Sequence, residues 1–160
     1  MKLQIITLLI LSLAMSSCSE KKSPDEIINQ KASLPEALNW EAAGYKVITS
    51  FIDKKDSTMS ILYGNDLARK TFIASDNRVV AGEMLALVTW KQKADENWFG
   101  ANIPGSVNSV ELIKTSAENN GTSAVAYSLY KGKEFILSKD TVNNQARIKY
   151  IFGQQPSVMP

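Results

Sequence analysis

Cys18 is the single thiol in a chain of 160 residues that contains no histidine. Those two counts remove most of the ways a small protein does chemistry. A Ser-His-Asp triad, a histidine general base, a histidine metal site, an intrachain disulfide and a C-x-x-C motif are all excluded. No Walker loop, no G-x-G-x-x-G and no G-x-S-x-G occurs. Carboxylates, amines and phenols remain. Asp95-Glu96 reads as a solvated acidic turn rather than a catalytic pair. Glu111 lies between Val110 and Leu112 in a strand-like run. Alternation turns it away from both, so it is expected to face outward into solvent. Turned inward it would need a cation, with Arg69, Arg78 and Arg147 available. Lys91 and Lys93 read as a solvated strand end, and Tyr63, Tyr127 and Tyr130 as pocket lining or ordinary packing. No catalytic constellation and no metal set forms. An enzyme stays open, with the balance against one.

The charge is equally uninformative about acidic partners. Eighteen basic and 16 acidic side chains leave a net charge of +2, spread evenly, so no nucleic-acid partner is expected.

The N-terminus carries an address. Met1-Lys2 is followed by an apolar run from Leu3 to Met15, then Ser16-Ser17-Cys18. The run is too short for the roughly 20 residues that span a bilayer and matches the apolar region of a secretory signal. The ending Ala14-Met15-Ser16-Ser17-Cys18 resembles a bacterial lipoprotein signal, with Met15 a looser fit than the usual Leu. That resemblance implies a signal peptide over 1–17, a mature chain beginning at a lipidated Cys18, and export to the membrane surface. The expected location is the outer membrane, facing the periplasm or the cell surface. Residues 18–34 are then a lipidated tether, charged, with Pro24 inside and Lys21-Lys22 beside the lipid.

A single folded domain is expected over 35–160. Pro35 to Glu41 makes a short helix stopped at Gly44. Tyr45–Ile52 and Thr58–Tyr63 alternate and form a hairpin across Asp53–Ser57. Asn65 or Asp66 caps a helix that ends at Asp76-Asn77. Glu83–Gln92 is the most apolar segment, with Met84, Ala86, Val88 and Trp90 on one face and Leu85, Leu87 and Thr89 on the other. Both faces want burial, which makes it a central strand or one wall of a closed sheet around a pocket. Ala94–Gly105 reads as a long loop with a Pro104-Gly105 turn. Ser106–Thr115 and Ser123–Tyr130 are strands, Phe135–Ser138 is short, and Gln145–Phe152 is either a helix or a last strand. The fold class is α+β, mostly antiparallel sheet with a few short helices.

Three stretches taken in order resemble the cytochrome P-460 family, which includes the cytochrome c-prime-beta proteins. They are Ile61-Leu62-Tyr63-Gly64-Asn65-Asp66-Leu67-Ala68, then Gly82 to Gln92 (GEMLALVTWKQ), then Trp98-Phe99-Gly100-Ala101-Asn102-Ile103-Pro104-Gly105 running to Val110-Glu111. The resemblance implies a small, mostly antiparallel, often dimeric periplasmic domain. In haem-bearing members it further implies hydroxylamine oxidation or nitric-oxide binding through haem attached at a C-x-x-C-H motif near the C-terminus. This chain departs from the pattern. The corresponding region reads Asp140-Thr141-Val142-Asn143-Asn144-Gln145, and the lysine that bonds haem in some members falls on Leu87, counted from Gly82. No cofactor is therefore expected. The alternative is non-covalent haem held by a tyrosine, a lysine, Met59, Met84 or Met159. The expected role is binding of a small apolar or aromatic molecule, or of a protein partner on the sheet. The expected pocket residues are Tyr63, Leu87, Thr89, Trp90 and Tyr127.

Overall fold

A computed structural model describes residues 28–34, 38–74, 78–118, 121–132, 134–139 and 144–157. The expected signal peptide, Cys18, most of the tether, the Asp76-Asn77 helix end, residues 140–143 and Met159 lie outside the described residues. Six strands form one antiparallel sheet in sequence order. They are β1 (Lys46–Asp53), β2 (Thr58–Gly64), β3 (Met84–Ala94), β4 (Asn102–Ala117), β5 (Ser123–Lys131) and β6 (Ile136–Leu137). A single helical turn, α1 (Trp40–Ala43), precedes the sheet. Helix α2 (Asp66–Ile73) joins β2 to β3, and α3 (Asn144–Phe152) follows β6. Among the described residues no helix is long and apolar enough to cross a membrane.

Both faces of β3 are buried, as its apolar alternation requires, and each has its own cover. On the first face Leu62, Leu85, Leu87 and Ile113 pack against Ala68 and Phe72 of α2 and Ile151 of α3. On the second face Val88, Trp90, Val107 and Val110 pack under Leu34, Leu38, Trp40 and Phe135. Each fully buried Leu or Ile contributes about 2 kcal/mol. The Trp90 indole N–H donates to the Ala32 carbonyl at 2.8 Å. Residues 29–34 therefore belong to the folded body, and the expected tether ends before them.

Asn65 fixes the entry to α2. Its side-chain oxygen accepts from the Ala68 N–H at 3.0 Å, and its amide donates to the Gly82 carbonyl at 2.9 Å. One residue thus caps the helix and staples it to the start of β3. At the same end β1 carries a bulge between Val47 and Thr49, which turns Ile48 into the first core.

Of the two alternatives for Gln145–Phe152 the structure has the helix, α3. Two local expectations need correcting. The expected loop over 94–105 is shorter, because β4 already begins at Asn102. Pro104-Gly105 is not a turn. It lies in β4 beside a register shift, where β5 no longer runs alongside, so proline's missing donor leaves no ladder bond unmade.

Gly64 marks the tightest point of the first core. A Cβ there would lie 2.7 Å from Ile48 Cδ1 and 3.0 Å from Ala68 Cβ. Gly64→Val is expected to destabilise the fold by about 2–3 kcal/mol, read as a lower urea midpoint. An unchanged midpoint would contradict this packing.

Candidate functional site

Read across the first sheet face, the rows of side chains change character. One row runs Thr49, Leu62, Leu87, Glu111, Leu129, and the next runs Phe51, Ser60, Thr89, Ser109, Lys131. The face is apolar where α2 and the C-terminal half of α3 cover it. It becomes polar where that cover ends. There an open cleft of about 760 Å³ lies against the sheet, bounded by Asn144, Arg147 and Tyr150 of α3 on one side and Asp53 and Asp56 on the other. That volume suits a small molecule.

Glu111 anchors the cleft floor. It is 3% exposed, so the outward placement expected from alternation is wrong. Alternation does set it opposite Val110 and Leu112, but that face is covered too, by α3. Arg147 donates to it through both Nε (2.9 Å to Oε2) and Nη2 (2.6 Å to Oε1). Tyr127 sits diagonally across on β5, and its hydroxyl donates to Oε2 at 2.6 Å. A buried carboxylate is tolerable only with such partners. The Arg147 guanidinium also lies 4.6 Å from the Tyr150 ring centroid, and that ring meets Phe51 edge-on at 6.2 Å. Hydrogen bonding to Glu111 raises the pKa of Arg147. Burial, then the hydrogen bond to Glu111, raises that of Tyr127 well above the ordinary 10.0.

The five expected pocket residues divide between the two faces. Leu87, Thr89 and Tyr127 line the cleft. Tyr63 and Trp90 lie on the other face, where Tyr63 packs 4.9 Å from the Trp40 ring and Trp90 sits in the second core. Period-two alternation separates Trp90 from Thr89, so the two cannot share a wall. The expectation of an apolar pocket is also corrected. Ser60 and Thr89 hydroxyls bond each other at 2.9 Å on the floor, and Lys91 and Lys131 also line the cleft. Phe51, Ser60 and Ser109 went unnoticed in the sequence. Their signal was parity with Thr89 across paired strands, and it becomes readable only once the register is known.

The cleft lining offers the tyrosines Tyr127 and Tyr150 and the lysines Lys91 and Lys131, but no imidazole and no thiolate. Met59 pairs with Trp90, and Met84 shares a face with Val88, so both thioethers belong to the opposite side. Tyr127 is held in its neutral form by Glu111. Among the described residues no three acidic side chains gather as metal ligands. No family model matches this chain, and no curated protein matches it significantly.

Three donors occupy Glu111, which leaves it poorly placed as a base. Arg147→Met leaves the carboxylate buried beside an apolar chain. The expected loss is about 2 kcal/mol, below the usual cost of breaking a buried pair because the Arg147 side chain is 41% exposed and water replaces part of its role. Chemical denaturation measures it, and a loss near zero would show the pair to be incidental.

Alkaline titration offers a second check. The folded state holds the Tyr127 proton more tightly than the unfolded chain does. Stability is therefore complete below about pH 10 and declines as pH rises past it. Tyr127→Phe should flatten that decline in urea titrations between pH 9 and 11. An identical slope in parent and variant would contradict the bond to Glu111.

Proposed function

We propose that this chain is an exported, membrane-anchored lipoprotein whose cytochrome P-460-like domain binds a small amphipathic molecule without catalysis. The observation that carries the binding role is the cleft itself. Its buried charge is already neutralised, so its floor is rigid and polar without being reactive. Phe51, Leu87 and Leu129 offer apolar contact, while Ser109, Lys91 and Lys131 offer hydrogen bonds and positive charge. A ligand with a flat or aliphatic body and an anionic end uses both halves.

The family reading rests on the three ordered stretches of sequence. They fall on β2 with α2, on β3, and on the β3–β4 connection running into β4, which are neighbouring elements of one sheet. Haem is not part of the proposal, because the chain has no histidine and no C-x-x-C-H motif. The anchor rests on Cys18 and the apolar run before it.

Two measurements test the proposal together. Protein isolated from its own host is expected to show no Soret band, and a one-to-one haem complex would overturn the reading. The amphipathic sulfonate dye 8-anilinonaphthalene-1-sulfonate is expected to bind at one site. Ser109→Trp, which fills the cleft from its floor, should weaken that binding at least tenfold with an unchanged circular dichroism spectrum. Equal dye binding by the variant would remove the cleft as the site.

A further inference from the structure

We propose that the tip of the β3–β4 hairpin, Trp98-Phe99, is a second membrane contact, seated in the lipid headgroup region beside the N-terminal lipid. The proposal rests on the anchor reading above and not on the cleft. Trp98 is 73% exposed and Phe99 fully exposed, side by side in the turn. Large adjacent aromatics left in water carry a cost unless something covers them. The hairpin also stands clear of the sheet. Pairing of β2 with β3 ends at Thr58–Lys91, and pairing of β4 with β5 ends at Ser109–Lys131. The β3–β4 pair continues past both through Gln92–Pro104, Lys93–Ile103 and Ala94–Asn102, its base flanked by Ser57, whose carbonyl accepts from the Gln92 N–H at 2.9 Å, and by Asn29 at Pro104. Within the arm, Lys93 bridges Glu96 at 2.7 Å and so offsets one acidic charge near the tip.

The N-terminal segment identifies the occupant. The Val107 N–H donates to the Lys31 carbonyl at 3.1 Å, and the Asn29 amide donates to the carbonyls of Pro104 at 3.0 Å and Gly105 at 3.2 Å. Followed backward from Lys31 to Asn29, the chain therefore runs along β4 from Val107 towards Pro104, which is towards the tip. Ile28, the first described residue, is itself 52% exposed. Cys18 lies ten residues earlier. Ten residues of random coil span roughly 20 Å. The tip is two paired positions and a turn beyond Pro104, or about 15 Å at strand spacing. A lipid on Cys18 thus holds this end of the domain at the bilayer. Trp is favoured at a membrane–water interface, where its apolar ring and polar N–H each find a match.

The test uses the mature chain, beginning at position 18, with vesicles of phosphatidylcholine and phosphatidylglycerol at 7:3. With Cys18→Ser the chain should still bind weakly on sedimentation, and adding Trp98→Ser and Phe99→Ser should lower the partition coefficient about tenfold. In the lipidated chain, brominated lipids should quench the emission that Trp98→Ser removes. Unchanged partitioning, or Trp98 emission unquenched while the chain is vesicle-bound, would overturn the proposal. So would concentration-dependent self-association that the tip variant abolishes, since the tip would then be a contact between copies. The anchor is read separately, from whether the Cys18 chain fractionates with cell envelopes.

Discussion

Both faces of β3 are apolar, and water must be kept from each of them. Leu85 and Leu87 point one way, Val88 and Trp90 the other. One sheet cannot cover itself, so two separate parts of the chain fold back as lids. Ala32, Leu34, Leu38 and Trp40 close over Trp90, partly through the bond from its indole to the Ala32 carbonyl. Helices α2 and α3 close over Leu87. The sheet is thereby the middle of three layers, although its edges carry little besides β1 and the two-residue β6.

The lid formed by α3 is incomplete, and the incompleteness makes the cleft. The C-terminal part of the helix docks through Ile151, whereas its first turns meet Glu111 instead of an apolar surface. A bidentate arginine pair sets the position of that end, with Tyr127 satisfying the remaining demand of the carboxylate. Beyond this contact the helix ends and the hydroxyl row from Ser60 to Ser109 is left open. The same interaction that fixes the helix therefore furnishes the floor of the proposed binding site and occupies the carboxylate of Glu111 with three donors.

Much of the fold was legible locally. The strand alternation, the Asn65 cap and the two-sided character of β3 follow from residue type and period. Pro104-Gly105 misled, because a dipeptide common in turns is equally tolerated in a strand where no neighbouring strand needs its N–H. Glu111 misled for a related reason. Its parity was read correctly, yet parity says which side chains share a face and not whether that face is covered. Tyr63 and Trp90 were grouped with Leu87 and Thr89 as pocket lining, although on β3 itself Trp90 and Thr89 must point to opposite sides.

By itself the sequence determined what chemistry is absent. A chain with no histidine and one cysteine cannot assemble an imidazole site, an intrachain disulfide or a C-x-x-C motif however it folds. It also set which residues of each strand face together, since the period of two is a property of the extended backbone. Only the tertiary structure decided which face stays open, which cation meets Glu111, and that the N-terminal segment runs along the arm bearing Trp98 and Phe99. Those outcomes join residues far apart in the chain, 36 positions for Arg147 and Glu111. They depend on how far a helix extends over a sheet and on where neighbouring strands stop, and neither is encoded in any local stretch of residues.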